Sequence, residues 1–515
     1  MTDRGGRRAD LERAVVVREV ELKVEVPEGF VLPVLLGAVP GVAALRSIPP
    51  AELVAAYHDT ADLRLAAAGA SLRRREGGPD AGWHLKLRAP TGQEGRDELR
   101  LPLGSGELGH VPETLAAIVL PLVREAELTH RATVRTARTG VELLDADGEV
   151  LAELVDDLVR CEPSGSSFRQ IEVEARVDDR RAGEVLDASL ALLVAAGGRP
   201  TRLTKSAAAL GVVDAPGPVP IPAVPRRRDA AGLLVAHALA TGVTGFLLAD
   251  VDLRRGAPDA VHRMRVAART LRSSLRTFAP LLQDDDAAAA RRSGLGACAS
   301  DWGAARDLEV QLERLLSAAA LLPAAQAELA VAAVRDALRA READALGDAS
   351  AALHSEPHVA LLVDLVEHAG RPPVTALAGE PIVEVVPGLL ATALARLRHA
   401  AEELRVDGAA EQWHRVRVLA KRARYAAEAI APVLPRARRT AARLATLTDL
   451  LGQVQDAAVG RALLAEVAAS ADGPTAYALG LLSAGQEEVE RAARLAVLGA
   501  WPELDRVVRR PLVRA

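Results

Sequence analysis

Val17-Arg18-Glu19-Val20-Glu21-Leu22-Lys23-Val24-Glu25-Val26 alternates charged and apolar residues from Glu19 onward. In a β-strand, side chains at i, i+2 and i+4 share a face. Glu19, Glu21 and Lys23 therefore point one way, and Val20, Leu22 and Val24 the other. Turning a charged face inward is costly unless something binds there. Two neighbouring carboxylates suit a hard divalent cation, and the adjacent ammonium suits a phosphate. Taken alone, the run also describes an ordinary solvated sheet face. The rest of the chain decides between the two.

The same parity recurs downstream. Arg73 and Arg75 share a face, as do Lys86 and Arg88, Arg96 and Glu98, and Glu172 and Glu174. Period-two alternation marks residues 81–87, 141–144, 150–155 and 171–177, and turn signals such as Gly77-Gly78-Pro79-Asp80 separate the runs. A helix is expected over 182–196. Strands that each place charge on one face, with carboxylates and cations segregated onto different strands, predict a closed barrel with a charged lumen.

A different pattern begins after residues 214–228, DAPGPVPIPAVPRRR, whose five prolines predict an extended linker. Beyond it, apolar residues recur at spacings of three and four nearly to the end, which predicts helices. An interruption over 370–387 divides this half in two. His262-Arg263-Met264-Arg265-Val266 returns as His414-Arg415-Val416-Arg417-Val418, 152 residues later, and Gly303–Asp307 returns as Gly452–Asp456, 149 later. Two matches at nearly equal offsets predict a duplicated helical bundle. The expected organisation is thus an N-terminal domain over 14–213, a linker over 214–228 and a helical domain over 229–510, with repeats at about 229–369 and 388–510.

His262, Arg265, Arg269, Arg272 and Arg276 are spaced 3, 4, 3, 4, one stripe of a helix. Met264, Ala268, Leu271, Leu275 and Phe278 form the neighbouring apolar stripe. The second copy repeats the basic stripe with His414, Arg417, Lys421 and Arg424, with Arg422 beside it. Almost no acids are interleaved, although like charges at i, i+4 repel by a few tenths of a kcal/mol per pair. The stripe predicts a polyanion partner. Aromatics make up 2% of the chain and the helical half shows no groove-reading motif, so a bare phosphate chain is favoured over nucleic acid.

Composition sets wider bounds. The 515 residues suggest two or more domains, and a net charge of −5 gives no global sign of a nucleic-acid partner. Cys161 and Cys298 stand far apart with no CxxC, which fits a reducing compartment and offers no metal–thiolate site. Residues 1–10 are polar and lack the apolar core of a signal peptide. The apolar helical stretches are interrupted by charged or polar residues, so no membrane span and a cytoplasmic location are expected.

Two resemblances add to this reading. The helical half, roughly 226–510, resembles the CHAD domain through H-x-x-R-V-x-x-x-x-L-R, its second copy H-x-x-R-V-x-x-K-R-x-R-Y, and G-x-x-R-D at Gly303–Asp307, with Gln455 standing where the first copy has Arg306. That resemblance implies a duplicated α-helical domain binding inorganic polyphosphate, and association with polyphosphate granules is expected with it. The first half, from Arg18 to about Gly211, resembles the CYTH, or triphosphate tunnel metalloenzyme, family. Its ordered motifs include E-x-E-x-K, Tyr57–Thr60, Ser71–Arg75, Trp83–Arg88, Arg96–Glu98, Arg135–Arg138, Asp156-Asp157, Glu172–Glu174 and Thr204–Ser206. The implied fold is an α+β antiparallel β-barrel, a triphosphate tunnel, followed by the all-α duplicated bundle. The resemblance assigns Lys23, Arg73, Arg75, Lys86, Arg88, Arg138 and Lys205 to triphosphate, with Arg131 and Arg135 competing for the place of Arg138. It assigns Glu19, Glu21, Glu172 and Glu174, with Asp157, to Mg²⁺ or Mn²⁺. Glu98 is read as a structural partner of Arg96. Lys86 and Arg88 stand where Thr and Lys are common in the family, which bears on substrate preference. The implied activity is hydrolysis of inorganic tripolyphosphate. The alternatives are another CYTH activity (adenylate cyclase, nucleoside or thiamine triphosphatase) or a non-catalytic polyphosphate-binding scaffold. Oligomeric state is not encoded legibly.

Overall fold

The computed structural model describes residues 15–89, 95–106, 109–212, 214–283 and 286–509. The expected domain ends at 14, 213 and 510, and the polar residues 1–10, lie outside them. The chain divides into two compact units: the residues up to Pro218 with Arg254–Ala257, and Val219–Leu253 with the residues from Pro258 onward.

The first unit is built on one antiparallel sheet. Its strands are β1 (Val15–Glu19), β2 (Glu21–Val26), β3 (Ala44–Asp59), β4 (Ser71–Glu76), β5 (Gly82–Arg88), β6 (Arg96–Pro102), β7 (Thr129–Leu144), β8 (Val150–Glu162), β9 (Ser167–Ala175) and the two-residue β10 (Arg199–Pro200). Their order is β1-β6-β5-β4-β3-β7-β8-β9-β2-β10. β1 and β2 are one stretch of chain interrupted only at Val20, and β1 pairs with β6 while β2 pairs with β9. The opening segment thus closes the sheet on itself, and a barrel has no exposed edge along that seam.

The alternation read from the sequence sorts the two faces. On the outer face Val24, Ile171, Val173 and Leu154 pack with Val185, Leu186 and Leu193. The last three belong to α3 (Arg180–Ala195), which follows the short helices α1 (Arg64–Ala67) and α2 (Glu113–Val123). Asp179 caps α3 by accepting the Arg181 N–H at 2.8 Å. α4 (Lys205–Leu210) starts at Thr204, whose hydroxyl accepts the Ala207 N–H at 3.0 Å. That cap fixes Lys205 in the first turn of the helix. Residues 214–228 contain no helix or strand among those described.

The second unit is helical: α5 (Ala231–Arg254), α6 (Ala260–Thr277), α7 (Asp286–Ala319), α8 (Ala324–Leu353), α9 (Glu356–Gly370), α10 (Ile382–Glu402), α11 (Ala410–Ile430), α12 (Pro435–Ala468) and α13 (Gly473–Val508). Helices α5 to α8 recur as α10 to α13, and α9 stands between the copies. Helix α7 maps onto α12 with the same 149-residue offset at both ends, 286 to 435 and 319 to 468. The starts of the copies meet: Ala231 N–H donates to Glu380 O at 2.9 Å, and Ile382 N–H to Asp229 O at 3.0 Å. The interruption is shorter than 370–387. α10 begins at Ile382 and continues through Pro387, because burial of Ile382, Val386, Leu390 and Leu394 on one face offsets the hydrogen bond that proline cannot donate. One helix, α5, is long and apolar enough by length and composition to cross a membrane. Leu234, Val235, Leu239, Val243, Phe246 and Leu247 on it are buried within the helical unit.

Candidate functional site

Strand register carries the lumen argument from sequence to geometry. In an antiparallel pair, residues directly opposite lie on the same face. Glu19 faces Arg96, Lys86 faces Glu98 and Ser71, and Arg73 faces His84 and Tyr57. Arg75 faces Ala55, Arg138 faces Asp157, Glu21 faces Glu174, and Lys23 faces Glu172. All of these are on the inner side. They surround a cavity of about 320 Å³ whose described lining has nine basic and six acidic side chains. Arg135, opposite in parity, pairs with Glu162 away from the lumen, so Arg138 takes the inner position.

Two ion clusters organise this interior. In one, Glu98 is fully buried and meets His84 Nδ1 at 3.0 Å, Lys86 at 3.5 Å, Arg73 at 3.5 Å, and Arg100. Lys86 also reaches Glu19 at 2.6 Å. The expected Arg96–Glu98 pair does not form, because Arg96 sits opposite Glu19 and Arg88 while Glu98 sits opposite Lys86. Burial would raise the Glu98 carboxyl, but the His84 hydrogen bond and the charges of Lys86 and Arg73 hold it well below the carboxylate range. In the other cluster, Arg138 grips Asp157 through two bonds of 2.8 and 2.7 Å, and Lys205 meets Asp157 at 2.7 Å and Glu172 at 2.8 Å. Lys23 contacts Glu21 and lies 3.8 Å from Glu172. Here too burial opposes ionisation of Glu172, and Lys205, Lys23 and Arg138 overcome it.

The remaining carboxylates behave differently. Burial, with Glu19 and Glu21 adding repulsion against the relief of Arg176, pushes Glu174 up to about 7. Glu19 is raised as well, first by burial and then by Glu98 and Glu21, against Lys86. Glu19, Glu21 and Glu174 are thus hard oxygen donors that crowd one another, the electrostatic condition a divalent cation relieves. Among the described residues no three metal-ligating side chains lie close enough to hold an ion as they stand. Asp157 and Glu172, assigned to metal from sequence, are ion-paired with Arg138, Lys205 and Lys23. Asp157 is fully buried behind the lining. Arg88 does not line the cavity either: it is exposed at the end of β5, against Gly69, where an added Cβ would lie 2.7 Å from its Nε. Arg100, Arg176, Asp80 and Glu153 line the cavity although no sequence motif marks them as lumen residues, and Tyr57 of the Tyr57–Thr60 motif joins them. Period-two counting from Glu98 finds Arg100, and from Glu174 finds Arg176.

The helical unit presents the second candidate surface. Met264, Ala268, Leu271, Leu275 and Phe278 are buried, as the apolar stripe requires. The basic residues beside them do not all face outward. His262 and Arg276 are exposed, whereas Arg265 is 8% exposed and donates to Asp307 at 2.8 Å. The stripe borders the groove with α7, so its middle is covered. Arg269 feels Arg265 and Arg417, and Lys421 feels Arg417, Arg269 and Arg265, so the cations of the two copies converge. Burial first, then those arginines, push Lys421 down to about 7, with Asp456 opposing. Among the described residues Arg269, Arg272, Arg276, Arg417, Lys421 and Arg422 have no ion-pair partner. The buried Nε atoms of Arg265, Arg272 and Arg417 have no hydrogen-bond acceptor among the described residues. Arg424 is drawn away to Glu428 at 2.8 Å and Thr448 at 3.1 Å, and His414 Nδ1 lies 2.9 Å from Gln455 Oε1.

Comparison with known proteins agrees with this division. The CYTH domain family matches residues 17–196, and the CHAD domain family matches residues 237–465. The chain is 31% identical to the uncharacterized protein Rv2226 of Mycobacterium tuberculosis strain H37Rv over 536 aligned residues, covering 96% of this chain and 97% of the relative. Among solved structures it resembles PptA from Streptomyces chartreusis, with 28% identity, 53% of this chain and 100% of that chain covered, and a TM-score of 0.47. The CHAD domain from the plant Ricinus communis aligns at 23% identity over 53% of this chain and 94% of that chain, with a TM-score of 0.42.

Proposed function

The chain belongs to the family of proteins that join a CYTH domain to a CHAD domain, and from that premise we propose that its barrel hydrolyses inorganic tripolyphosphate to pyrophosphate and phosphate while its basic helices hold polyphosphate. The observation that carries the reading is the cavity of about 320 Å³ in which cations outnumber carboxylates nine to six. Phosphoryl transfer calls mainly for positioning and charge, and no covalent nucleophile is required. Lys23, Arg73, Arg75, Lys86, Arg138 and Lys205 are held in place by carboxylates, ready to exchange part of those contacts for phosphate oxygens. Arg88, at the strand end, meets the anion on entry. Glu19, Glu21 and Glu174 would hold the divalent cation. When bound, Mg²⁺ or Mn²⁺ neutralises phosphate oxygens and polarises a water. Glu98 and Asp157 keep the cations aimed by lying behind them.

One wall of the cavity, Ile48, Leu53 and Val134, is apolar, with Tyr57 nearby. It favours an organic triphosphate as the second reading: a nucleoside or thiamine triphosphate, or ATP as a cyclase substrate. The test is a panel of tripolyphosphate, ATP and thiamine triphosphate, each with Mg²⁺ or Mn²⁺. Tripolyphosphate is expected to be turned over fastest, and the Glu19→Gln/Glu21→Gln double variant is expected to lose at least about 100-fold, the scale of removing a charge-stabilising group. Conversion of ATP to cyclic AMP with tripolyphosphate untouched would overturn the choice of substrate. Unchanged turnover of every substrate by the double variant would overturn the metal site.

A further inference from the structure

Two glycines of α7 match two arginines of α6. Arg265 and Arg272 are seven residues apart, and so are Gly303 and Gly296. A Cβ placed on Gly296 would lie 3.1 Å from Arg272 Cζ and 3.3 Å from both terminal nitrogens of its guanidinium. A Cβ on Gly303 would lie 3.8 Å from Arg265 Nη2 and 3.9 Å from its Nε. Both guanidinium groups therefore lie against bare α7 backbone; a Cβ at 296 would make the Arg272 guanidinium give by a few tenths of an ångström, whereas one at 303 would meet the Arg265 guanidinium at ordinary contact distance. Both keep a buried Nε with no acceptor among the described residues. Such burial of a donor is costly unless a ligand completes it. The second copy lacks the device: a Cβ on Gly452, the repeat equivalent of Gly303, would have nothing within 4 Å.

We propose that Gly296 and Gly303 are positioning residues that seat the Arg272 and Arg265 guanidinium forks for a phosphate chain. The inference rests on the polyphosphate reading of the helical unit and adds to it which copy grips and how. An arginine laid flat on a helix has lost its rotamer freedom before the anion arrives, so less is lost on binding. The Arg272 fork then offers N–H donors from a set place, while Arg265 keeps its Nη2 on the exposed Asp307 at 2.8 Å. Arg269 and Arg276 complete the row in the first copy, while Arg417 and Lys421 of the second copy approach without a glycine seat.

The experiment uses the full-length chain and polyphosphate of defined length, with affinity measured across a salt series. Gly296→Ala is expected to weaken binding by about tenfold and to flatten the dependence of log affinity on log salt by about one phosphate contact. Gly303→Ala, whose added methyl meets only ordinary contacts, is expected to do less, and Gly452→Ala nothing. Alanine is the better helix former, so without ligand Gly296→Ala is expected to unfold at the same temperature as the parent or higher. The loss is also expected to vanish in an Arg272→Ala background, since a coupled pair is non-additive. Parental affinity and salt slope in Gly296→Ala would overturn the proposal. So would a fall in its ligand-free unfolding temperature, or a loss that persists without Arg272, because either marks a packing glycine. Failure of the parent chain to bind polyphosphate would instead sink the polyphosphate reading itself.

Discussion

The barrel interior and the basic helical groove both gather cations, and they treat them in opposite ways. In the barrel, Lys23, Arg73, Arg75, Lys86, Arg138 and Lys205 each have a carboxylate partner. In the groove, most of the stripe has none among the described residues; the first charged neighbour of Arg269 and of Lys421 is another arginine, and three arginines precede any acid around Lys421. A chain that must place reacting atoms needs rigid charges, and buried ion pairs supply rigidity at the expense of desolvation. A surface that only needs to hold a long anion can leave its charges mutually repelled, and the ligand then relieves the repulsion. The barrel's cations are balanced by the barrel's own carboxylates in a way that the groove's are not.

The most severe way to break this comparison is to remove the charge that serves several barrel cations at once. Glu98→Gln keeps the shape but leaves Lys86, Arg73 and Arg100 facing a neutral amide. Lys86 and Arg100 keep Glu19, so the loss falls chiefly on Arg73, and breaking a buried pair from one side costs about 3–5 kcal/mol. The expected outcome is a large fall in denaturation midpoint for the full chain, with faster amide exchange in β5 and β6 and not in α6 or α11. A midpoint equal to the parent's would mean that ion pairs do not hold the barrel cations.

The next effect is in the groove and has the opposite sign. Polyphosphate at a hundredfold excess over its dissociation constant is expected to stabilise the chain by about 2.7 kcal/mol through mass action. Protection from amide exchange should appear in α6 and α11. No protection there at saturating polyphosphate would show that the stripe is not the binding face.

Much of this contrast is legible in the sequence, and the reasons for the rest are physical. Parity alone puts Glu19, Glu21 and Lys23 on one face, and the two offsets announce the duplicated helices. What parity cannot supply is register. Spacing pairs Glu98 with Arg96, its strand neighbour, but the cross-strand alignment sets it beside Lys86 and brings His84, Arg73 and Arg100 around it. Asp157 carries the right chemistry for a metal ligand, and what the sequence does not show is that Arg138 and Lys205 both pair with it. Helical spacing likewise draws one basic stripe where the structure divides it. Arg265 and Arg272 sink onto α7 while His262 and Arg276 stay exposed, because a helix periodicity does not reveal where the neighbouring helix lacks side chains.

A subtler probe uses protonation. Lys421 sits at about 7, lowered first by burial and then by Arg417, Arg269 and Arg265, with Asp456 as the opposing charge. Its pKa is depressed on folding, so between about 7 and the ordinary lysine range the unfolded chain binds more protons than the folded one. Ligand-free stability from this group therefore rises with pH through that window. An anion favours the charged form, so binding takes up a proton, and polyphosphate affinity is expected to fall several-fold between pH 6 and pH 8.5. Lys421→Met should flatten that dependence and leave the ligand-free chain slightly more stable. An identical pH profile in the variant would remove Lys421 from the groove.

The smallest expected effect tests whether sequence position or structural partner decides a residue's part. Arg424 continues the second stripe by spacing, yet its Nε donates to Glu428 at 2.8 Å and its Nη1 to Thr448 at 3.1 Å. Its pair with Glu428 is an i,i+4 contact with both side chains about a third exposed. Such pairs contribute about 0.3–0.5 kcal/mol, and a guanidinium already turned to a carboxylate adds little to an anion held elsewhere. Arg424→Ala should therefore change polyphosphate affinity less than twofold, where Arg417→Ala, one helix turn before Lys421 and with no ion-pair partner among the described residues, should cost several-fold. Equal losses in the two variants would show that the stripe acts through net charge alone, and the distinction between paired and unpaired cations would then hold for the barrel only.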